Sequence, residues 1–196
     1  MAGFISYMHL ALEEARAAAD RGEVPVGAVI VSVNGQVLAR AGNRCRELHD
    51  PTAHAEMLAL RAACEVEHSE RLLTHSLYVT LEPCAMCAGA IAAARIARLY
   101  YGAGDPKSGG VAHGARVFDH PQAHHRPEVY DGIGATESEA LLKAFFAARR
   151  KAAQQADTMH KACTSYAYGA CAALRPCPWF AARRGAGPLP LDWSRR

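Results

Sequence analysis

At 196 residues and 51% hydrophobic composition, the chain is long enough for one ordinary domain with a substantial core, plus an appendage. Its formal charge of +3 is unevenly spread: residues 1–156 hold 16 Lys+Arg against 17 Asp+Glu, whereas residues 157–196 hold 6 against 2. Global charge therefore gives the main domain no claim on nucleic acid, and only local patches could make one. No run of roughly eighteen apolar residues is present, which excludes a spanning helix. Glu13, Glu14 and Arg16 interrupt the N-terminal segment, unlike a signal peptide, and the 7 cysteines are an odd count. Both features predict a cytoplasmic chain without membrane contact, whose thiols are reduced or bind metal.

Phe4 to Arg21 reads as an amphipathic helix. Val26 to Val33 is a β-branched run, Asn34-Gly35 follows, and Gln36 to Ala39 continues as a strand. Asn-Gly between two such runs predicts a hairpin whose turn residues both take positive φ. Asp50-Pro51-Thr52 marks a turn, after which a helix runs through Leu60 to Ala63 with His54 at its beginning. Leu77 to Leu81 is a strand. Pro83 suits the first turn of a helix reaching about Arg95. Arg98 to Tyr101 is another strand. Gly102 to Pro127 is a loop of the length that is functional or disordered in compact domains. Glu128 to Tyr130 is a short strand, and Thr136 to Glu139 forms a capping-box pattern opening a helix to about Gln155. Alternating helices and strands predict an α/β layered fold, and the early hairpin makes its sheet mixed. Residues 1–156 read as one domain. Residues 157–196, with Pro176, Pro178, Pro188 and Pro190, read as a largely irregular extension with room for an Ala-rich helix before Leu174.

His54-Ala55-Glu56 and Pro83-Cys84-Ala85-Met86-Cys87 carry the chemistry. Cys84 and Cys87, three apart at a helix N-terminus, put both sulfurs on one face, where the helix dipole favours thiolates. Such a pair alone fits a redox couple or half a zinc knuckle equally well. With His54 it becomes one imidazole and two thiolates, a zinc site whose fourth position is open to water, as in catalytic and unlike structural sites. Glu56 reads as a proton carrier rather than a ligand. Cys64 reads as core, and Cys45, Cys163, Cys171 and Cys177 match no usual zinc spacing. The histidines of the long loop, His113, His124 and His125, read as solvated or hydrogen-bonding, and His49 as a residue that could orient the Asp50-Pro51 turn.

H-x-E followed by P-C-x-x-C is the signature of the zinc nucleobase deaminases. The chain resembles their bacterial tRNA-specific adenosine deaminase branch, within the cytidine-deaminase superfamily, over about residues 4–153. The resemblance rests on Glu23 to Val29, Gly42-Asn43-Arg44, Asp50 to Glu56, Tyr78 to Ala90, Gly102 to Gly109, and Phe145-Phe146-Ala147-Ala148-Arg149-Arg150. It implies a three-layer α/β/α fold, a homodimer, one zinc per subunit, and hydrolysis of the wobble adenosine, position 34, of an arginine tRNA with an ACG anticodon to inosine. It also implies that Asn43 hydrogen-bonds the flipped base. Asp105, Lys107 and Ser108 would touch the RNA backbone or 2′-hydroxyls, and Arg149 and Arg150 would meet phosphates. One of the adjacent rings Phe145 and Phe146 is expected in the core. Backbone N–H groups near Ala55 and Cys84 are expected as further donors to the reacting oxygen. Two rivals stay open: a free-base deaminase acting on guanine or cytosine, and a catalytically silent RNA-binding subunit.

Overall fold

The computed structural model describes the backbone of residues 5–167 and the side chains of residues 5–158. The readings made above for Cys171, Cys177 and the prolines of the tail lie outside the described residues, as does the side chain of Cys163. Contacts divide the chain into two units, 1–149 and 150–196.

The first unit opens with helix α1, Met8–Asp20, whose buried residues Met8, Ala11, Leu12, Ala15 and Ala18 recur at helical spacing. Strands β1 (Gly27–Val31) and β2 (Val37–Gly42) form the expected antiparallel hairpin. Its turn differs from expectation. Gly35 alone takes positive φ (81°) and donates to the Ser32 carbonyl at 3.0 Å. The Ser32 N–H donates to the Gln36 carbonyl, so three residues span the turn and Gly35 takes the left-handed position that closes it. Helix α2 (Ala55–Glu67), strand β3 (Ser76–Leu81), helix α3 (Ala85–Ala93) and strand β4 (Arg98–Ala103) follow. Pro83 stands before the cap of α3 rather than in its first turn. A 3-10 turn at Val117–Asp119 and strand β5 (Glu128–Tyr130) precede helix α4, Ala135–Ala167.

The five strands make one open mixed sheet in the order β2-β1-β3-β4-β5. β1 is antiparallel to β2 and β3, while β3, β4 and β5 are parallel. Helices cover both faces, giving the three-layer α/β/α fold that the resemblance implies. One core, with Ile30, Leu77, Val79 and Leu99 from the sheet, packs against Ala59, Leu60 and Ala63 of α2 and Ile91 of α3. The other joins Met8 and Leu12 of α1 and Leu141 of α4 to Val29, Val31, Tyr78 and Tyr100. Burial on both faces is why β1 and β3 read as continuous apolar runs rather than alternating ones.

Helix α4 begins one residue before Thr136, and Glu139 points its carboxylate at Lys143 Nζ, 2.6 Å away, in place of a capping box. The helix also continues twelve residues beyond the expected end near Gln155. No Pro or Gly interrupts the sequence before Gly169, so nothing in it ends the helix sooner. As far as it is described, the second unit is the continuation of this helix. No helix among the described residues is long and apolar enough to cross a membrane.

Candidate metal centre and active site

Three strand ends bring the candidate residues to one edge of the sheet. Asn43 follows β2, Cys84 follows β3 by a short link, and Asp105 follows β4. The pairs Gly27↔Gly42 and Ala28↔Val79 put the end of β2 beside the parallel ends of β3 and β4. In open α/β sheets the carboxyl ends of the strands are where ligands bind.

His54 is the N-cap of α2 and Cys84 the N-cap of α3, both with extended backbone. Cys87 lies in the first turn of α3 and is fully buried. His54 Nδ1 stands 3.7 Å from Cys84 Sγ and 3.5 Å from Cys87 Sγ. Ligands held tetrahedrally, at about 2.0–2.1 Å for nitrogen and 2.3 Å for sulfur, are roughly 3.6 Å apart. The cluster thus has the spacing zinc requires, with Nδ1 as the imidazole donor. Among the described residues it is the one group of three or more such side chains able to hold a metal ion. Three ligands leave a fourth position open.

Cys84 and Cys87 carry the local charge unequally. Hydrogen bonds from Cys87 and His54 hold the Cys84 thiol down to about 3, and the N-terminus of α3 adds to the effect. Its neighbour Cys84 pushes the Cys87 thiol up, and burial adds to this. Glu56, in the first turn of α2, is 3% exposed. Burial pushes its carboxyl up, its backbone N–H and His54 oppose the shift, and it also hydrogen-bonds Cys87. A buried carboxyl whose proton is bound more tightly than usual suits a group that must take a proton and return it.

Asn43 is buried beside this cluster, and its Oδ1 accepts the Ala55 N–H at 2.8 Å. It thereby caps α2, which lacks a cap from its own N-cap side chain. The Ala55 N–H is therefore engaged, which removes it from the N–H groups around Ala55 and Cys84 that were expected to serve the reacting oxygen. Among the described residues no hydrogen bond to Asn43 Nδ2 is found, so this NH2 group keeps its donors. Asp105 Oδ1 accepts the N–H groups of Lys107 and Ser108, both at 3.0 Å, and the side chains of those two residues are exposed. Arg149 and Arg150 are exposed on α4, with the Arg149 guanidinium 5.4 Å from the Phe145 ring centre. Phe145 is half-buried and Phe146 is 42% exposed, so neither ring sits fully in the core as expected of one of them. His49 is exposed with φ 51°, and the Asp50 carboxylate, rather than His49, orders the turn by accepting Thr52 N and Oγ1 at 2.7 Å each.

Two buried carboxylates were not singled out from the sequence. Glu23 accepts the N–H groups of Arg46 and Glu47, at 2.8 and 2.9 Å, and so holds the segment after Asn43. Glu82 gathers the loop after β4. Burial alone would push its carboxyl up, but hydrogen bonds from the His113 and Asp105 backbone, the His113 ring and Val111 pull it down to about 2. The available signal was position: each is a charged residue one or two places before a proline in a segment flanking a strand, Glu23-Val24-Pro25 ahead of β1 and Glu82-Pro83 after β3.

The sequence model of the cytidine and deoxycytidylate deaminase zinc-binding region matches residues 4–103. A tRNA-specific adenosine deaminase of Agrobacterium fabrum is 56% identical over 150 residues, covering 76% of this chain and 98% of its own. One from Bacillus subtilis is 42% identical over 145 residues, covering 74% and 89%. A solved structure from studies of A-to-I editing by tRNA:A34 deaminases at the wobble position superposes with a TM-score of 0.68 at 58% identity, covering 69% of this chain and 98% of that one. A guanine deaminase from Nitrosomonas europaea shares the fold at 23% identity and a TM-score of 0.62, over 71% of this chain and 82% of its own.

Proposed function

The chain belongs to the cytidine and deoxycytidylate deaminase family, among its tRNA-specific adenosine deaminases, and from that premise we propose that it converts the wobble adenosine of tRNA, position 34, to inosine by zinc-dependent hydrolysis. The arginine tRNA with an ACG anticodon is the substrate that the family resemblance implies. The observation that carries the reading is the triangle of His54 Nδ1, Cys84 Sγ and Cys87 Sγ with buried Glu56 two residues from the histidine.

A zinc ion held by His54, Cys84 and Cys87, one per subunit, would lower the pKa of a bound water from ~15.7 toward ~7 and so supply hydroxide at neutral pH. Glu56 takes the proton that this water loses. It delivers that proton to ring N1, then takes the second proton from the hydroxyl newly bound to C6 and passes it to the departing amine. A C–O bond forms at C6, the bond from C6 to the exocyclic nitrogen breaks, and ammonia leaves. Asn43 Nδ2 donates to the base while its Oδ1 stays on Ala55. The base must leave the anticodon stack to reach the buried cluster, which costs less from a loop than from a duplex. Lys107 and Ser108 contact the RNA backbone and 2′-hydroxyls, on a loop fixed by Asp105, while Arg149 and Arg150 meet phosphates.

We take the enzyme to be a cytoplasmic homodimer, as the family resemblance implies. Helix α3 consists of apolar or small residues on every side and exposes Met86, which supports burial of that face against a second copy. The catalytic unit is proposed to end near residue 156, leaving 157–196 as an extension outside it, with an auxiliary basic arm for tRNA as the second reading of that extension. A variant ending at Ala156 should then fold, keep its zinc and deaminate an anticodon stem-loop with unchanged kcat. Under the arm reading its KM rises and its dependence on salt flattens, because phosphate contacts release counterions; under the appendage reading both stay as in the full chain. Unfolding or loss of zinc on truncation would make the arm part of the fold.

The reading as a whole is tested by mapping inosine in an arginine tRNA transcript treated with the pure protein. Inosine at position 34 and at no other adenosine is the expected result. An unmodified position 34 refutes it.

A further inference from the structure

Glu82 stands between β3 and the cap of α3, 3% exposed, and its carboxylate engages five nitrogen atoms from a single loop. Oε1 accepts the backbone N–H groups of Val111, Ala112 and His113 at 3.1, 2.9 and 2.9 Å. Oε2 accepts the N–H of Asp105 at 2.9 Å and lies 2.6 Å from His113 Nδ1. An ion pair would hold one point of a loop, whereas this set holds both ends of segment 105–113.

The middle of the segment lies directly on the metal-ligand cap. Gly110 donates to the Pro83 carbonyl at 2.8 Å, and Gly109 forms a bridge with Cys84. A Cβ at Gly110 would stand 2.5 Å from Ala85 N and 2.7 Å from the Cys84 carbonyl carbon. One at Gly109 would stand 2.5 Å from the Glu82 carboxyl carbon. Glycine is required at both places because the backbone rests on its neighbours. Between the anchors, Asp105 turns the chain so that Lys107 and Ser108 are exposed.

We propose that Glu82 is a positioning residue for substrate: it fixes the register of segment 105–113 on the Pro83-Cys84 cap, so that Lys107 and Ser108 grip the RNA at the height from which the target base reaches Glu56. This rests on the RNA-deaminase reading above. Glu82 touches neither the reacting atoms nor the metal cluster. It acts through the loop.

Glu82→Gln keeps the volume but replaces one acceptor oxygen with an NH2 group facing N–H donors. His113→Ala leaves Glu82 intact and removes its ring contact at the far anchor of the segment by a different route. Both full-length, zinc-loaded variants should retain one zinc per chain and a kcat within a few-fold of wild type on the anticodon stem-loop. Their KM should rise on the order of 10–100-fold, the scale for leaving buried hydrogen-bonding groups without their partner. Hydrogen exchange should quicken at the amides of Asp105 and 111–113 while those of β3 stay protected. Lys107→Ala should raise KM in the wild type and add little in the Glu82→Gln background. A carboxylate that only stabilised the fold would lower Tm without this split. An unchanged KM in both variants, or Lys107→Ala and Glu82→Gln effects that simply multiply, overturns the proposal. A wild-type protein inert on the stem-loop would refute the RNA reading itself, an outcome distinct from any result with the variants.

Discussion

Replacing Cys87 with alanine should remove the metal and the activity together. Cys87 Sγ is one corner of a triangle whose edges to His54 Nδ1 measure 3.5 and 3.7 Å. The two remaining ligands cannot enclose a tetrahedral ion. Among the described residues no fourth donor joins the group to replace the lost one. The side chain is also fully buried in the first turn of α3, so its loss leaves a small void against the core that holds Ala88 and Ile91. The expected result is zinc content well below one per chain after gel filtration. Inosine formation should fall by more than the roughly 10–100-fold cost of losing a mere supporting partner. Full zinc occupancy with normal activity in Cys87→Ala would remove the site assignment.

Glu56→Gln should separate binding from chemistry. The amide has the shape of the carboxylate and sits in the same buried turn of α2, so the three ligand atoms are undisturbed and zinc should remain. What it lacks is the ability to accept a proton from water and deliver it to the base. Turnover should fall at least ~100-fold, the lower end for loss of a general acid–base group, with KM little changed. Measuring metal content and single-turnover inosine formation on one preparation checks both halves. Near-normal turnover would assign the proton transfers elsewhere.

The group that could hold a metal was legible in the sequence because its geometry is local. Cys84 and Cys87 share one helical turn, and His54 caps the helix that carries Glu56. The hairpin was legible from Asn34-Gly35, but its turn type was not, since only Gly35 takes positive φ. The length of α4 was missed because the proline-rich composition of the tail was read back onto an Ala-rich stretch that contains no breaker. The roles of Asn43 and Glu82 depend on tertiary placement. Asn43 caps a helix beginning twelve residues later, and Glu82 collects donors 23 to 31 residues away. No periodicity or spacing rule marks such pairings, and a polar side chain at a strand end reads the same whether it holds a loop or faces water.

The central claim is that this cluster deaminates adenosine in an RNA loop rather than a free base. It is tested most directly by measuring kcat/KM, on one zinc-loaded preparation, for an anticodon stem-loop with adenosine at position 34 and for free guanine, with free adenosine and cytosine as further controls. Far faster turnover of the stem-loop, with an affinity that falls as salt rises, is the result that the exposed Lys107, Ser108, Arg149 and Arg150 predict. Turnover of guanine faster than that of the stem-loop would contradict it and place the chain with the free-base deaminases that share its fold.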